Sequence, residues 1–235
     1  MLREKNGAHG AQEVAIPIDG VTLAGDLVIP ADATAVVLFA HGSGSSRFSQ
    51  RNRAVAGALQ RAGFATLLLD LLTPAEERFD AVTGHLRFDV HLLATRLEAA
   101  TRWLRAPSAP THGLPIGYFG ASTGAAAALI AAAEQRSDVK AVVSRGGRPD
   151  LAADALARVR APTLLIVGSR DIPVIPLNQE ALRRMHCEKA LRFIPGATHL
   201  FEEPGALDQV TALAREWFLQ HLIDATVPSG ETSGW

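Results

Sequence analysis

Apolar residues in this chain come as short blocks, and between the blocks they fall into a rhythm of three to four. Val36–Ala40, Phe64–Leu69, Ile116–Gly120, Val139–Ser144, Pro162–Gly168 and Ala190–Ile194 are brief runs dominated by Val, Leu, Ile, Phe and Ala. Runs of this length with little polar alternation suit strands covered on both faces. Between them, Val55, Leu59 and Ala62 share one side of a helix predicted over 48–62, which Gly63 stops. Leu86, Val90, Leu93, Leu97, Ala100 and Leu104 share one side of a helix predicted over 86–105, closed by Pro107 and Pro110. Further helices are expected over 123–135, 150–158, 176–186 and 206–222, the last burying Leu207, Val210, Leu213, Trp217 and Phe218.

The chain opens differently. Val14–Ile18 and Val21–Ile29 read as two strands joined by Asp19-Gly20, a pair suited to a tight hairpin turn that needs positive φ. Pro30 ends the second strand. The whole pattern predicts an α/β fold: a mostly parallel sheet, an N-terminal antiparallel hairpin and helices on both faces. No internal repeat or change of composition divides the chain. One domain is expected over 13–223, between a flexible arm at 1–12 and a flexible tail at 224–235.

Composition narrows the function. A chain of 235 residues that is 48% hydrophobic can bury a substantial core. Its 23 basic residues (20 Arg, 3 Lys) are scattered and balanced by 24 acidic ones, which gives no basic concentration for nucleic acid. No apolar stretch approaches the roughly 18–20 residues of a membrane span, and the first seven residues lack the apolar segment of a signal peptide. Cys187 is the single cysteine, so there is neither a disulfide nor a CxxC metal site; H-E-x-x-H and paired carboxylates are missing too. The expectation is a cytoplasmic protein acting on a small molecule without cofactor or metal, its oligomeric state open.

In a parallel sheet, ligands sit outside the carboxyl ends of the strands. Three strand ends carry reactive residues. Gly120-Ala121-Ser122-Thr123-Gly124 makes a strand-to-helix turn. Small residues there permit a sharp bend, and the following helix points its positive end at the serine. A serine hydroxyl becomes nucleophilic only when a base takes its proton. Asp171 follows the strand 162–168 and His199 follows the strand 190–194, 49 and a further 28 positions on. Ser, Asp and His thus stand in α/β-hydrolase order on one edge of the sheet. After the first buried strand, His41-Gly42-Ser43-Gly44-Ser45-Ser46 lacks the lysine and spacing of a phosphate loop. Such a loop can present the N–H of Ser43, or of Gly42, to form an oxyanion hole with the N–H of Thr123. His41 is expected to hold the loop, and Asp70 to be structural. Gly42, Arg145, Arg148, Leu200 and Glu203 are the candidate pocket residues. Either arginine could bind an anion, although pairing with Asp150, Glu202 or Glu203 is the preferred expectation.

With these residues the chain resembles the α/β-hydrolase superfamily, and within it the dienelactone-hydrolase-like branch. The likeness rests on His41-Gly42, Gly120–Gly124, Asp171 and Gly196-Ala197-Thr198-His199-Leu200-Phe201. It implies a compact hydrolase without a lid domain. Two departures accompany it: dienelactone hydrolases proper carry a cysteine where Ser122 stands, and a substrate-gripping arginine where Glu203 stands. The resulting expectation is a serine carboxylesterase working through an acyl-enzyme. Lactone, thioester, peptide or acyl-transfer chemistry on the same triad, or a binding domain without turnover, remain open alternatives.

Overall fold

The computed structural model describes residues 10–223. Eight strands form one sheet: β1 Gln12–Ile18, β2 Val21–Val28, β3 Ala35–Ala40, β4 Phe64–Leu69, β5 Ile116–Ala121, β6 Val139–Arg145, β7 Thr163–Gly168 and β8 Lys189–Ile194. Their spatial order is β1-β2-β4-β3-β5-β6-β7-β8. β2 runs antiparallel to β1 and β4, and every other pairing is parallel. The hairpin turns on Asp19 and Gly20, with φ of 41° and 85°. β3, β4, β5 and β7 are buried along their whole length, as their unbroken apolar runs require.

Six α-helices flank the sheet: α1 Gln50–Arg61, α2 Pro74–Thr83, α3 Val90–Arg105, α4 Thr123–Glu134, α5 Ile175–Arg184 and α6 Ala206–Phe218. One apolar layer joins the sheet to α3, α4 and the segment 149–158; the other joins it to α1 and α6. α1 begins where Ser49 Oγ accepts the N–H of Asn52 (3.3 Å). α4 is buried at every position from Thr123 to Ala133, which its small residues allow.

Several elements differ from the sequence reading. The helix expected over 86–105 is divided: a 3₁₀ turn at Leu86–Phe88 precedes α3, because the Asp89 side chain caps the N–H of Leu92 (3.0 Å). The segment 149–158 is 3₁₀ and breaks at Ala153, whose φ is 46°. The last α-helix ends at Phe218 and continues as a π turn, Leu219–Ile223. α2 has no counterpart in the sequence reading. Its only buried residue is Asp80, while Phe79 and Val82 face outward, so it carries no apolar stripe. A capping box starts it: Thr73 Oγ1 accepts the N–H of Glu76, and Glu76 accepts the N–H of Thr73. Of the arm expected over 1–12, Gln12 already belongs to β1; residues 1–9 and the tail 224–235 lie outside the described residues. Among the described residues, no helix is long and apolar enough to cross a membrane.

Candidate active site

β5 ends at Ala121 and α4 starts at Thr123, so Ser122 alone makes the turn. Its φ of 51° and ψ of −121° form a strained backbone that side-chain-bearing residues rarely adopt. Gly120 and Gly124 make the turn possible. A Cβ on Gly120 would stand 2.5 Å from Ala125 Cα, and one on Gly124 would stand 2.4 Å from the carbonyl oxygens of Ala40 and His41. The strained residue is pinned on both sides: its N–H donates to the carbonyl of Arg145 (3.3 Å), and its own carbonyl accepts the N–H groups of Arg148 and Ala125 (3.1 Å each). The hydroxyl therefore stands half-buried at the carboxyl edge of the sheet.

Asp171 lies in the turn after β7 and is buried. His199 lies in the loop after β8, and its Nδ1 donates to Asp171 Oδ2 at 2.7 Å. That bond places the ring proton on Nδ1 and leaves Nε2 free to accept. The imidazole lies over the end of β6: a Cβ on Gly146 would be 3.6 Å from His199 Cε1. β6 is the sheet neighbour of β5, which ends beside Ser122. The histidine loop is braced from below. Glu203 accepts both the N–H (3.0 Å) and the hydroxyl (2.6 Å) of Thr198, bonds that hold its carboxyl below the usual range. Phe201, at a φ of 56°, is buried under the loop.

On the other side of Ser122 runs the loop after β3. His41 Nδ1 donates to the Gly42 carbonyl (3.0 Å), and its Nε2 accepts the N–H of Leu71 (3.0 Å). Burial pushes its pKa down, so His41 is a neutral tie between two loops. Gly42 touches the turn, since a Cβ there would be 2.9 Å from Ser122 Cβ. Ser43 and Thr123 are in contact: the Ser43 N–H donates to Thr123 Oγ1 (3.0 Å). The N–H of Thr123 is in the first turn of α4, where no intrahelical acceptor exists.

A cavity of about 490 Å³ opens beside Gly42, lined by the loop to Ser46, Phe48, Glu77 and Arg87 among others. Of the pocket candidates, Gly42 lines it; Arg145, Arg148, Leu200 and Glu203 do not. Arg148 forms the expected ion pair with Asp150 (2.8 Å). Arg145 corrects the sequence reading. It is buried and forms no ion pair among the described residues. Its Nη2 donates to Asn52 Oδ1 of α1 (3.2 Å), and its guanidinium lies 5.9 Å from the centre of the Phe201 ring. The carboxylates expected to pair with it are engaged elsewhere, Glu202 with Arg51 (2.9 Å) and Glu203 with Thr198. Burial, with Arg51 nearby, lowers its pKa to about 10. Asp70 is structural as expected, accepting from the backbone and guanidinium of Arg47. Sequence reasoning missed Glu77 and Arg87, because both depend on α2; the Thr73–Glu76 capping signature was the available signal.

The model of the dienelactone hydrolase family matches residues 23–224. The crystal structure of a dienelactone hydrolase from Anabaena variabilis is 59% identical, covers 91% of this chain and all of its own, and superposes with a TM-score of 0.87. Two Mycobacterium tuberculosis proteins named "Putative phosphoribosyl transferase" are 58% identical over 211 residues, which is 90% of this chain and 46% of theirs. The chain thus spans about half the length of these curated relatives. Est1E from Butyrivibrio proteoclasticus shares the fold at 19% identity, with a TM-score of 0.73 over 88% of this chain and 98% of its own.

Proposed function

Since this chain belongs to the dienelactone hydrolase family, we propose that it is a serine carboxylesterase in which Ser122, His199 and Asp171 act as a triad. The observation that carries this reading is the 2.7 Å bond from His199 Nδ1 to the buried carboxylate of Asp171, at the sheet edge where Ser122 stands strained. In this mechanism Ser122 Oγ attacks the ester carbonyl and passes its proton to His199 Nε2. Asp171 stabilises the imidazolium that forms. The tetrahedral oxyanion accepts from the N–H of Thr123 and from the N–H of Ser43, which leaves Thr123 Oγ1 for the stronger, charged acceptor. Collapse breaks the C–O bond of the ester, and His199 returns the proton to the departing alcohol. Water then gives its proton to His199 and attacks the acyl-enzyme, releasing the acid and restoring the Ser122 hydroxyl.

The phosphoribosyl name belongs to proteins of which this chain matches less than half. A fluorophosphonate tests the serine-hydrolase reading. Stoichiometric labelling at Ser122, with ester hydrolysis falling by about 10³ or more in Ser122→Ala, is the expected result. A Ser122→Ala variant that keeps a tenth of the wild-type kcat overturns the assignment.

A further inference from the structure

Ser122 divides the carboxyl edge of the sheet into two unlike halves. Toward β6, β7 and β8 stand His199 and Asp171, with Leu200 and Ile172 exposed beside them. Toward β3 and β4 the 490 Å³ cavity opens at Gly42 and reaches Glu77 of α2 and Arg87 of the turn after it. A departing oxygen must lie within reach of the group that protonates it. The alcohol half of an ester therefore lies on the His199 side. The acyl substituent leaves the tetrahedral carbon the other way, past Gly42 and into the cavity, whose volume suits a medium-sized group.

The chemistry of the cavity is specific. Arg87 is tied to Asp80: Nε donates to Oδ2 (2.5 Å) and Nη2 to the Asp80 carbonyl (2.8 Å). Nη1 is turned to the other side, 3.8 Å from where a Cβ on Gly44 would stand. Asp80 is buried and cancels the guanidinium charge, so Arg87 offers N–H donors without surplus positive charge. Ser43 and Ser45 contribute hydroxyls, Leu72 and Leu93 apolar wall, and Glu77 a carboxylate that feels the charge of Arg47 but forms no ion pair with it, Arg47 being bound to Asp26 and Asp70. Such a lining repels an anion and offers hydrogen bonds to neutral oxygen.

Resting on the serine-hydrolase reading above, we infer that the acyl half of the substrate is a neutral, hydroxyl-bearing carboxylic acid of medium length, with Arg87 Nη1 as the specificity-determining donor to its hydroxyl oxygen. Phenol release from phenyl butyrate, phenyl 3-hydroxybutyrate and monophenyl succinate tests this on the whole protein. The hydroxybutyrate is expected to have the highest kcat/KM, about tenfold above the butyrate, and the succinate the lowest. Arg87→Leu should erase the hydroxyl preference through KM. Because that change strands the buried Asp80, Glu77→Gln serves as a second variant: its side chain is exposed, and it should narrow the gap between succinate and butyrate. Butyrate turned over as fast as the hydroxybutyrate, succinate as the best substrate, or a gap unmoved by Glu77→Gln overturns the inference. Fluorophosphonate titration separates the two levels. Protein that labels at Ser122 but shows no acyl preference refutes the acyl assignment alone; folded protein that does not label refutes the serine-hydrolase reading and this inference with it.

Discussion

Replacing Gly42 with alanine adds one methyl group where the loop after β3 lies against the strained serine. The new Cβ would stand 2.9 Å from Ser122 Cβ, 3.2 Å from the Ala121 carbonyl oxygen and 3.7 Å from Ser122 Oγ. Ordinary contact begins near 3.4 Å, so loop and turn must part by about 0.5 Å or more. The turn is pinned by three backbone hydrogen bonds, so the loop moves, and it carries the Ser43 amide. Losing one oxyanion donor costs about 10²–10³ in kcat, and a 1 Å misplacement about 10². A displacement of this size should lower kcat roughly 10- to 100-fold. KM should shift as well, because the displaced loop, Gly42 to Ser46, also lines the cavity. The overpacking costs ~1 kcal/mol at this half-buried site, equivalent to a Tm lower by roughly 2–4 °C. Phenyl acetate kinetics normalised to fluorophosphonate-titrated sites, with a thermal melt followed by circular dichroism, measure both. Full kcat in Gly42→Ala, with an unchanged melt, would refute the claim that this contact sets the geometry of the site.

Three further outcomes follow from the same geometry. Asp171→Asn should fold and lose about 10⁴ in kcat, since an amide favours the wrong imidazole tautomer; normal activity would assign the acid elsewhere. Glu203→Gln keeps an acceptor for Thr198 but loses its charge, so kcat should fall severalfold with KM unchanged and the melt nearly so, whereas Glu203→Ala should loosen the loop and cost at least tenfold more; equal rates for both would deny Glu203 a positioning role. The native pKa of His41 is depressed by burial below its unfolded value of 6.5, so its contribution to stability is complete above about pH 6.5. It is lost as pH falls, by up to about 1.4 kcal/mol per pH unit. Urea midpoints at pH 7.5 and 5.5 should therefore differ more in the wild type than in His41→Gln, and parallel shifts would discount the residue.

The sheet was legible because burial on both faces leaves a sequence trace that needs no partner to interpret: FATLLL reads as an inner strand wherever it sits. Ser122, Asp171 and His199 were legible for a related reason, since strand ends in a parallel sheet share one edge. What escaped was decided through space. α2 turns its apolar residues outward and buries Asp80, the inverse of the pattern that marks a helix. The partner of Arg145 is an amide from α1, 93 positions earlier, and charge complementarity pointed to carboxylates that already had other duties. The Thr123 hydroxyl reaches the Ser43 amide across 80 positions, and no spacing rule relates them. The cavity beside Gly42 was hidden for the same reason as α2, which supplies part of its wall.

The helix behind Ser122 has a thermal consequence. Seven of the twelve residues of α4 are alanine, and eleven are buried. Alanine has no rotamers to freeze, so embedding this helix forfeits almost no side-chain freedom. Nor can the helix absorb disturbance by reshuffling side chains, as a leucine-rich one would. Ser122 is thus mounted on a piston: it shifts when the whole helix shifts and otherwise stays put. Warming such a site should leave its alignment unblurred until the surrounding layers give way, so catalysis and the fold should fail together at a single temperature.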